Sequence, residues 1–404
     1  MIALSDPAST RLRPTSRRSF RSQARALPAS AWVLTCLAFA ACASTPPAER
    51  DDGPSYGTVV AAAWNLPAIA EDPLHRGMDA PLHRAEDGFL ESAALGDGAI
   101  FTEALPSWNV PSGVAFTVDI RAQQADLEGH WSPWLRIGDW ATPLRPKDTP
   151  TRFQGGKVAV DILEMEKPYR AVQLRFLRTD ATSGPPFEPG DVAATVILTD
   201  ATQLNRRLAA AAQDPWPGTS MVRVAPRSQR AVGDDIGGRI CSPTSVSMVS
   251  AFHGADIPTR QMAETLFDPH HDIYGNWNRA VQGPATLGIP GRLVRISSWR
   301  VVAEYLDQGR PVVASIRAKE GELRGAPYKK TAGHLLVVTG LGPAGAVHVN
   351  DPAARLALDV PRVYQRADME RVWFANGGVA YLFGEGAAQV DPEVSPVVSL
   401  EATR

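Results

Sequence analysis

Cysteine is scarce. Only Cys36, Cys42 and Cys241 occur in 404 residues, and the first two lie within the first 42. That count excludes a disulfide-built scaffold. Charge of one sign is also missing. Lys and Arg total 41 against 43 Asp and Glu, for a net charge of −2. Nothing here provides the basic face a nucleic-acid partner requires. Beyond residue 42 no apolar run approaches the ~20 residues of a membrane-crossing helix. Well-spaced metal ligands are absent too. His75 and His83, in a repeated PLHR at 73–76 and 81–84, have no further ligands around them and read as solvated loop. What is present is length for two or three domains. The 34 prolines and 33 glycines point to many turns and substantial β structure.

Residues 1–42 read as an export segment and stand outside fold reasoning. Ser16–Arg21, SRRSFR, resembles a twin-arginine export motif. The apolar run Ala26–Ala41 has the length of a signal core, and Phe39-Ala40-Ala41-Cys42 resembles a bacterial lipobox. The expectation is an exported protein in the cell envelope, lipid-anchored at Cys42, with no other membrane contact. Cleavage near Ala41 or Ala43 without a lipid is the alternative. If Cys42 is lipidated, Cys241 is the one thiol left, and an unpaired thiol in an oxidising compartment points to reactivity.

Residues 43–87 read as a polar, proline-rich tether and lead-in. From 88 to 200 the pattern changes to short runs with period two. They are 113–122, 134–140, 157–165, 169–179 and 192–200. This predicts an antiparallel β-sandwich. Trp108, Trp131, Trp134 and Trp140 are expected mostly in its core. Stacking on cell-wall glycan, or on a surface partner, is the minority reading. Residues 201–221 read as a short alanine-rich helix and a linker.

Residues 222–385 form an α+β domain, followed by a tail at 386–404. It centres on 237–254, GGRICSPTSVSMVSAFHG. Two glycines lead into a helix that has Cys241 at its first turn and stops at Gly254, with Val246, Val249, Ser250 and Phe252 as its inward face. A thiol there feels the helix dipole and loses its proton more readily. Locally, a buried inert cysteine fits equally well. Helices are expected at 260–267, capped by Thr259, at 278–287 and at 301–309, and a buried strand at 311–318. Thr331–Ala354 reads as a hairpin turning at 342–345. A turn centred between Gly342 and Pro343 sets His334 opposite Asp351. A carboxylate there would fix the imidazole tautomer and leave its other nitrogen free for chemistry.

Gln229, CSPTSVSM at 241–248, YGNW at 274–277, GHLLVVTG at 333–340 and NDPA at 350–353 together resemble the exported branch of the bacteriocin-leader-peptidase-like cysteine peptidases. The resemblance covers 222–385. It implies a papain-like fold preceded by a β-sandwich, and a peptide or protein substrate. It also implies Cys241 as nucleophile, His334 as base and acid, Asp351 as orienter, and Gln229 as oxyanion-hole donor beside the Cys241 N–H. No metal or organic cofactor is required. His270, His271 and Asp272 read as a loop near the cleft, His253 as a helix-end cap and His348 as a strand residue. The double-glycine preference of transporter-linked relatives is not carried over. The alternatives are a thiol acyltransferase or amidase on wall peptides, and a non-catalytic surface binding protein.

Overall fold

The computed structural model describes residues 64–70, 72, 75–125, 130–180 and 187–384. The export segment with Cys42, most of the tether and the tail at 386–404 lie outside the described residues. Among the described residues no helix is long and apolar enough to cross a membrane.

The N-terminal domain is an antiparallel sheet of ten strands that doubles over. The strand Ile162–Arg178 makes the fold possible. Its first residues pair with Gly156–Ala159 and with Phe101–Asn109, and its second half pairs with Phe116–Gln124. The two expected runs at 157–165 and 169–179 are therefore a hairpin arm and one long strand. Alternate residues of these strands, including Trp108, Phe116, Leu174 and Phe176, fill the core, as the period-two pattern requires.

The sheet also begins earlier than expected. His75–Asp79 pairs with Ala193–Thr199, and Leu82–Arg84 with Leu90–Ser92. This corrects the loop reading of the PLHR repeat. His75 is buried, with Nδ1 3.1 Å from Thr199 Oγ1. Of the four tryptophans, Trp108 and Trp140 are core residues. Trp131 and Trp134 are half-buried, and Arg121 and Arg175 lie against their rings.

The C-terminal domain is a seven-stranded antiparallel sheet. Its main path runs Gly291–Arg295, Val379–Phe383, Val312–Ala318, Thr331–Leu341, Ala346–Asn350, Pro361–Gln365. Both faces are covered. Leu335, Val337, Val313 and Tyr381 pack toward the helices Cys241–Phe252, Thr259–Leu266 and Trp277–Ala285. Leu336, Val338, Ala314 and Leu382 pack toward Trp299–Asp307 and Arg366–Val372. Two covered faces explain the unbroken apolar run LLVV after His334. Thr259 is the first residue of its helix, and Pro258 takes the cap position.

The segment 201–221 is more than a linker. It carries the helix Leu204–Gln213 and then docks on the C-terminal sheet. Trp216 Nε1 donates to Gly342 O at 2.8 Å, and Ser220 and Met221 pair with Leu341 and Gly340.

The two domains belong to one compact unit. Strand Gly291–Arg295 has a free edge, and N-terminal side chains cover it. Asn109 exchanges two hydrogen bonds of 2.8 Å with Gly291, and Leu293 N–H donates to Ser107 Oγ at 3.0 Å. Gln282 exchanges two more with Val110, at 2.7 and 2.9 Å. Leaving one such buried group unpaired costs about 1–3 kcal/mol. The junction is therefore a built interface, and it caps an edge that would otherwise recruit another strand.

Candidate active site

Cys241 is the first residue of the helix Cys241–Phe252. Pro243 is third, where its missing N–H forfeits no intrahelical bond. Nine consecutive residues, Ser242–Ser250, are buried. This corrects the expected single inward face: the helix is packed on all sides. Its hydroxyls are turned to use. Thr244 Oγ1 donates to Ile240 O at 2.7 Å, and Ser245 Oγ donates to Leu335 O at 3.1 Å. The second bond ties the Cys241 helix to the strand beside His334. Ser242 Oγ lies 3.3 Å from Tyr381 Oη.

His334 sits near the start of Thr331–Leu341, paired with Ile316, and is 5% exposed. Its Nε2 lies 2.8 Å from Asp351 Oδ1. That leaves Nδ1 for the thiol, and Cys241 is within hydrogen-bonding reach of the ring.

The strand register differs from the expectation. The turn spans Gly342–Ala346, closed by Gly342 N–H to Ala346 O at 2.7 Å. Val337 then pairs with Asn350, and a bulge falls between Val338 and Gly340. Continued from that pair, the register sets Asp351 opposite Leu336, two residues from His334. Residues two apart share a face, so the carboxylate reaches the imidazole diagonally.

Asp351 is fully buried. Oδ1 also accepts the Ala353 N–H at 3.0 Å. Oδ2 accepts two phenolic hydroxyls, from Tyr364 at 2.7 Å and Tyr328 at 3.2 Å. Tyr328 also sets its ring at a steep angle to that of His334, with centroids 4.9 Å apart. Sequence reasoning missed both tyrosines. Tyr364 is supplied by the neighbouring strand Pro361–Gln365, and Tyr328 by a polar loop with no periodic pattern.

These contacts set the charges. Burial works against a charged His334, but the buried Asp351 carboxylate and the Cys241 sulfur outweigh it and push the imidazole up to about 10. Burial pushes the Cys241 thiol up, and this is overcome by His334 and by the backbone N–H groups of Leu335 and Ser242, so the thiol lies below its ordinary value. Burial likewise opposes an ionised Asp351, and His334 and the Tyr364 hydroxyl hold it below the usual carboxylate range. All three shifts favour the charged forms: thiolate, imidazolium and carboxylate.

Gln229 is buried at the start of the turn Gln229–Val232. Nε2 donates one hydrogen to Gly237 O at 2.8 Å, and its second hydrogen has no acceptor among the described residues. Gly237 has no room for a side chain, since a Cβ would meet Gly233 O at 2.4 Å. Gln229 N–H donates to Pro352 O at 2.9 Å, and Ser228 Oγ donates to Ala354 O at 2.5 Å. The loop before Cys241 is thus strapped to the loop that carries Asp351. The Cys241 N–H, in the first helical turn, has no acceptor among the described residues.

The remaining histidines lie elsewhere. His270 Nδ1 accepts the Arg145 N–H at 3.3 Å across the domain junction, and His271 bonds Asp268 at 2.8 Å. His253 follows the Cys241 helix and His348 lies on Ala346–Asn350. Among the described residues no group of three or more His, Cys, Asp or Glu could hold a metal.

Residues 221–381 match the Peptidase C39 like family, and residues 57–187 match the Peptidase C39 N-terminal domain. No curated protein matches the chain. Among solved structures, one similar chain is a double glycine motif protease from an AMS/PCAT transporter in complex with the leader peptide. It is 15% identical over 41% of this chain and 94% of its own, with a TM-score of 0.28. Another is the peptidase domain of Streptococcus ComA, a bi-functional ABC transporter involved in a quorum sensing pathway. It is 15% identical over 36% of this chain and 92% of its own, with a TM-score of 0.27.

Proposed function

Residues 221–381 form a cysteine peptidase domain of the C39-like family, and from that premise we propose that the protein hydrolyses peptide bonds through Cys241, His334 and Asp351. The observation that carries the reading is the bond of 2.8 Å between His334 Nε2 and the buried Asp351, with the Cys241 thiol interacting with the same imidazole.

The thiolate attacks the scissile carbonyl carbon, and the charge moves to the carbonyl oxygen. The Cys241 N–H and the second Gln229 Nε2–H receive that oxyanion. His334 gives its Nδ1 proton to the leaving amine as the C–N bond breaks, leaving a thioester on Cys241. Water then attacks the thioester, with His334 taking its proton, and the acid product leaves as the thiolate re-forms. Asp351 holds the tautomer and stabilises the imidazolium throughout.

Cys241→Ala should abolish turnover on a peptide library, and iodoacetamide should alkylate Cys241 faster than an ordinary cysteine, because His334 lowers the thiol below its ordinary value. Full activity in the variant, or a thiol no more reactive than free cysteine, refutes the assignment. Amine acceptors added to the assay distinguish hydrolysis from acyl transfer.

The second part of the proposal is location. The arginine-rich leader and Ala41-Cys42 support export and a lipid anchor at Cys42. Metabolic labelling with an alkyne fatty acid should mark the wild type and not Cys42→Ala. Equal labelling, or none in either, refutes the anchor.

A further inference from the structure

A cavity of about 530 Å³ opens where the two domains meet, and both supply its walls. Asp161, Glu164 and Glu103 come from the N-terminal domain; Trp277, Arg295 and Arg317 come from the peptidase. It lies at the thiol's end of the sheet. Arg317 follows Ile316, the strand partner of His334. Trp277 packs in the same apolar cluster as Cys241. Tyr381, against Ser242, feels the charges of both Asp161 and Cys241.

Inside this cavity one group stands out by charge. Arg295 is neutralised by Glu103 at 2.5 Å. Glu164 pairs loosely with Lys157 at 3.4 Å near the rim, and Arg317 is exposed. Asp161 is 6% exposed, and no cationic side chain pairs with it among the described residues. Its Oδ2 accepts the Trp277 N–H at 2.6 Å. His271 acts on it only at a distance and is held by Asp268. Burial without a counter-ion lifts the Asp161 carboxyl to about 7.

Asp161 takes the first N–H of the Trp277–Ala285 helix, but the cap position itself is filled. Asn276 already caps the Trp277–Ala285 helix, accepting the Arg279 N–H at 3.1 Å. An asparagine at 161 could accept the same Trp277 N–H without burying a charge. The turn that presents Asp161 is itself strained. Val160 has φ 64° in a two-residue hairpin turn, where a β-branched residue is disfavoured and glycine is the usual choice. Strain of this kind persists where the surroundings enforce it, and it clusters at binding sites.

We propose that this cavity is a substrate subsite, and that Asp161, delivered by the N-terminal domain, receives a cationic group of the peptide: a Lys or Arg side chain or the amino-terminal ammonium. The inference rests on the peptidase reading. An arriving cation supplies the missing counter-ion and favours the ionised carboxylate. The N-terminal domain thereby becomes part of the substrate cleft.

The test uses the full chain. Peptides differing only in Lys against Gln at successive positions, with free or acetylated amino termini, are assayed on wild type, Asp161→Asn and Glu164→Gln. The wild type should favour the cationic member about tenfold in kcat/KM, as a charge-assisted contact implies. Asp161→Asn should erase that ratio, and Glu164→Gln should reduce it a few-fold. Loss of the preference on acetylation identifies the ammonium; persistence identifies a side chain. Binding of the same peptides to Cys241→Ala and Cys241→Ala/Asp161→Asn reads the subsite without turnover. A charge preference in binding with no cleavage by wild type would overturn the peptidase reading and keep the subsite. Affinity indifferent both to Lys against Gln and to acetylation of the amino terminus, or a preference that survives Asp161→Asn, overturns the subsite.

Discussion

Asp351 and Asp161 are both buried, and they lie in opposite electrostatic situations. Asp351 has a histidine on one oxygen, two tyrosine hydroxyls on the other and a backbone N–H besides. It stays ionised despite complete burial. Asp161 takes the Trp277 N–H and no cation, and its carboxyl is lifted to about 7. Burial alone does not fix the charge of a carboxyl; the partners that come with it do. One corner is saturated and suits a fixed catalytic charge. The other is unsaturated and suits a ligand.

Removing the charge from the saturated corner has the largest expected effect. Asp351→Asn should lower kcat/KM by about 10³–10⁴-fold, as loss of an orienting carboxylate does elsewhere. The pH profile should change with it. In wild type the alkaline limb follows His334, whose raised value means the proton is held until the pH climbs through about 10. In Asp351→Asn that limb should fall back toward the ordinary histidine value of 6.5. A limb that stays put would break the contrast between the two corners.

Gln229→Ala is next, at about 10²–10³-fold in kcat with little change in KM, the usual scale for an oxyanion donor. A loss confined to stability would show that Gln229 only braces Gly237. Tyr364→Phe and Tyr328→Phe should then cost about tenfold and a few-fold respectively, following bonds of 2.7 and 3.2 Å to Asp351. Their alkaline limbs should shift less than that of Asp351→Asn.

The smallest effect sharpens the other corner. Because the Asp161 carboxyl is raised, the folded state binds its proton more tightly than the unfolded chain does, and stability falls as pH rises from about 4 to about 7. Asp161→Asn should remove that slope and raise Tm at pH 8 by on the order of a few degrees. A Tm difference independent of pH would show that the carboxyl is not strained by its surroundings. His334 has the same sign. Its stabilisation is complete below the ordinary histidine value and is lost as pH rises through about 10.

The parts legible in sequence were those with local causes. The Cys241 helix was marked by Gly237-Gly238, Pro243 and Gly254, each tied to a local backbone need. The His334 hairpin was marked by its turn residues and apolar run, and the sandwich by its period-two strands. The parts that were not legible depend on distant pairings. A bulge near Thr339 moved the register, so Asp351 meets His334 diagonally. The Cys241 helix looked one-sided because Ser245 and Ser247 read as polar; they are buried because the Leu335 and Thr244 carbonyls accept their hydroxyls.

By itself, then, the sequence pointed to a sheet-rich region ahead of an α+β one, to a thiol at a helix start, and to a histidine and an acid that the fold brings together. Those features depend on spacing and on residue type, which a chain carries before it folds. The tertiary structure alone decided that two tyrosines saturate Asp351, that the segment at 201–221 docks on the peptidase, and that Asp161 from one domain accepts the Trp277 N–H of the other. Those outcomes depend on which surfaces pack together, and on how much solvent and counter-charge each buried group retains. That is why two aspartates of the same chemistry end in opposite states.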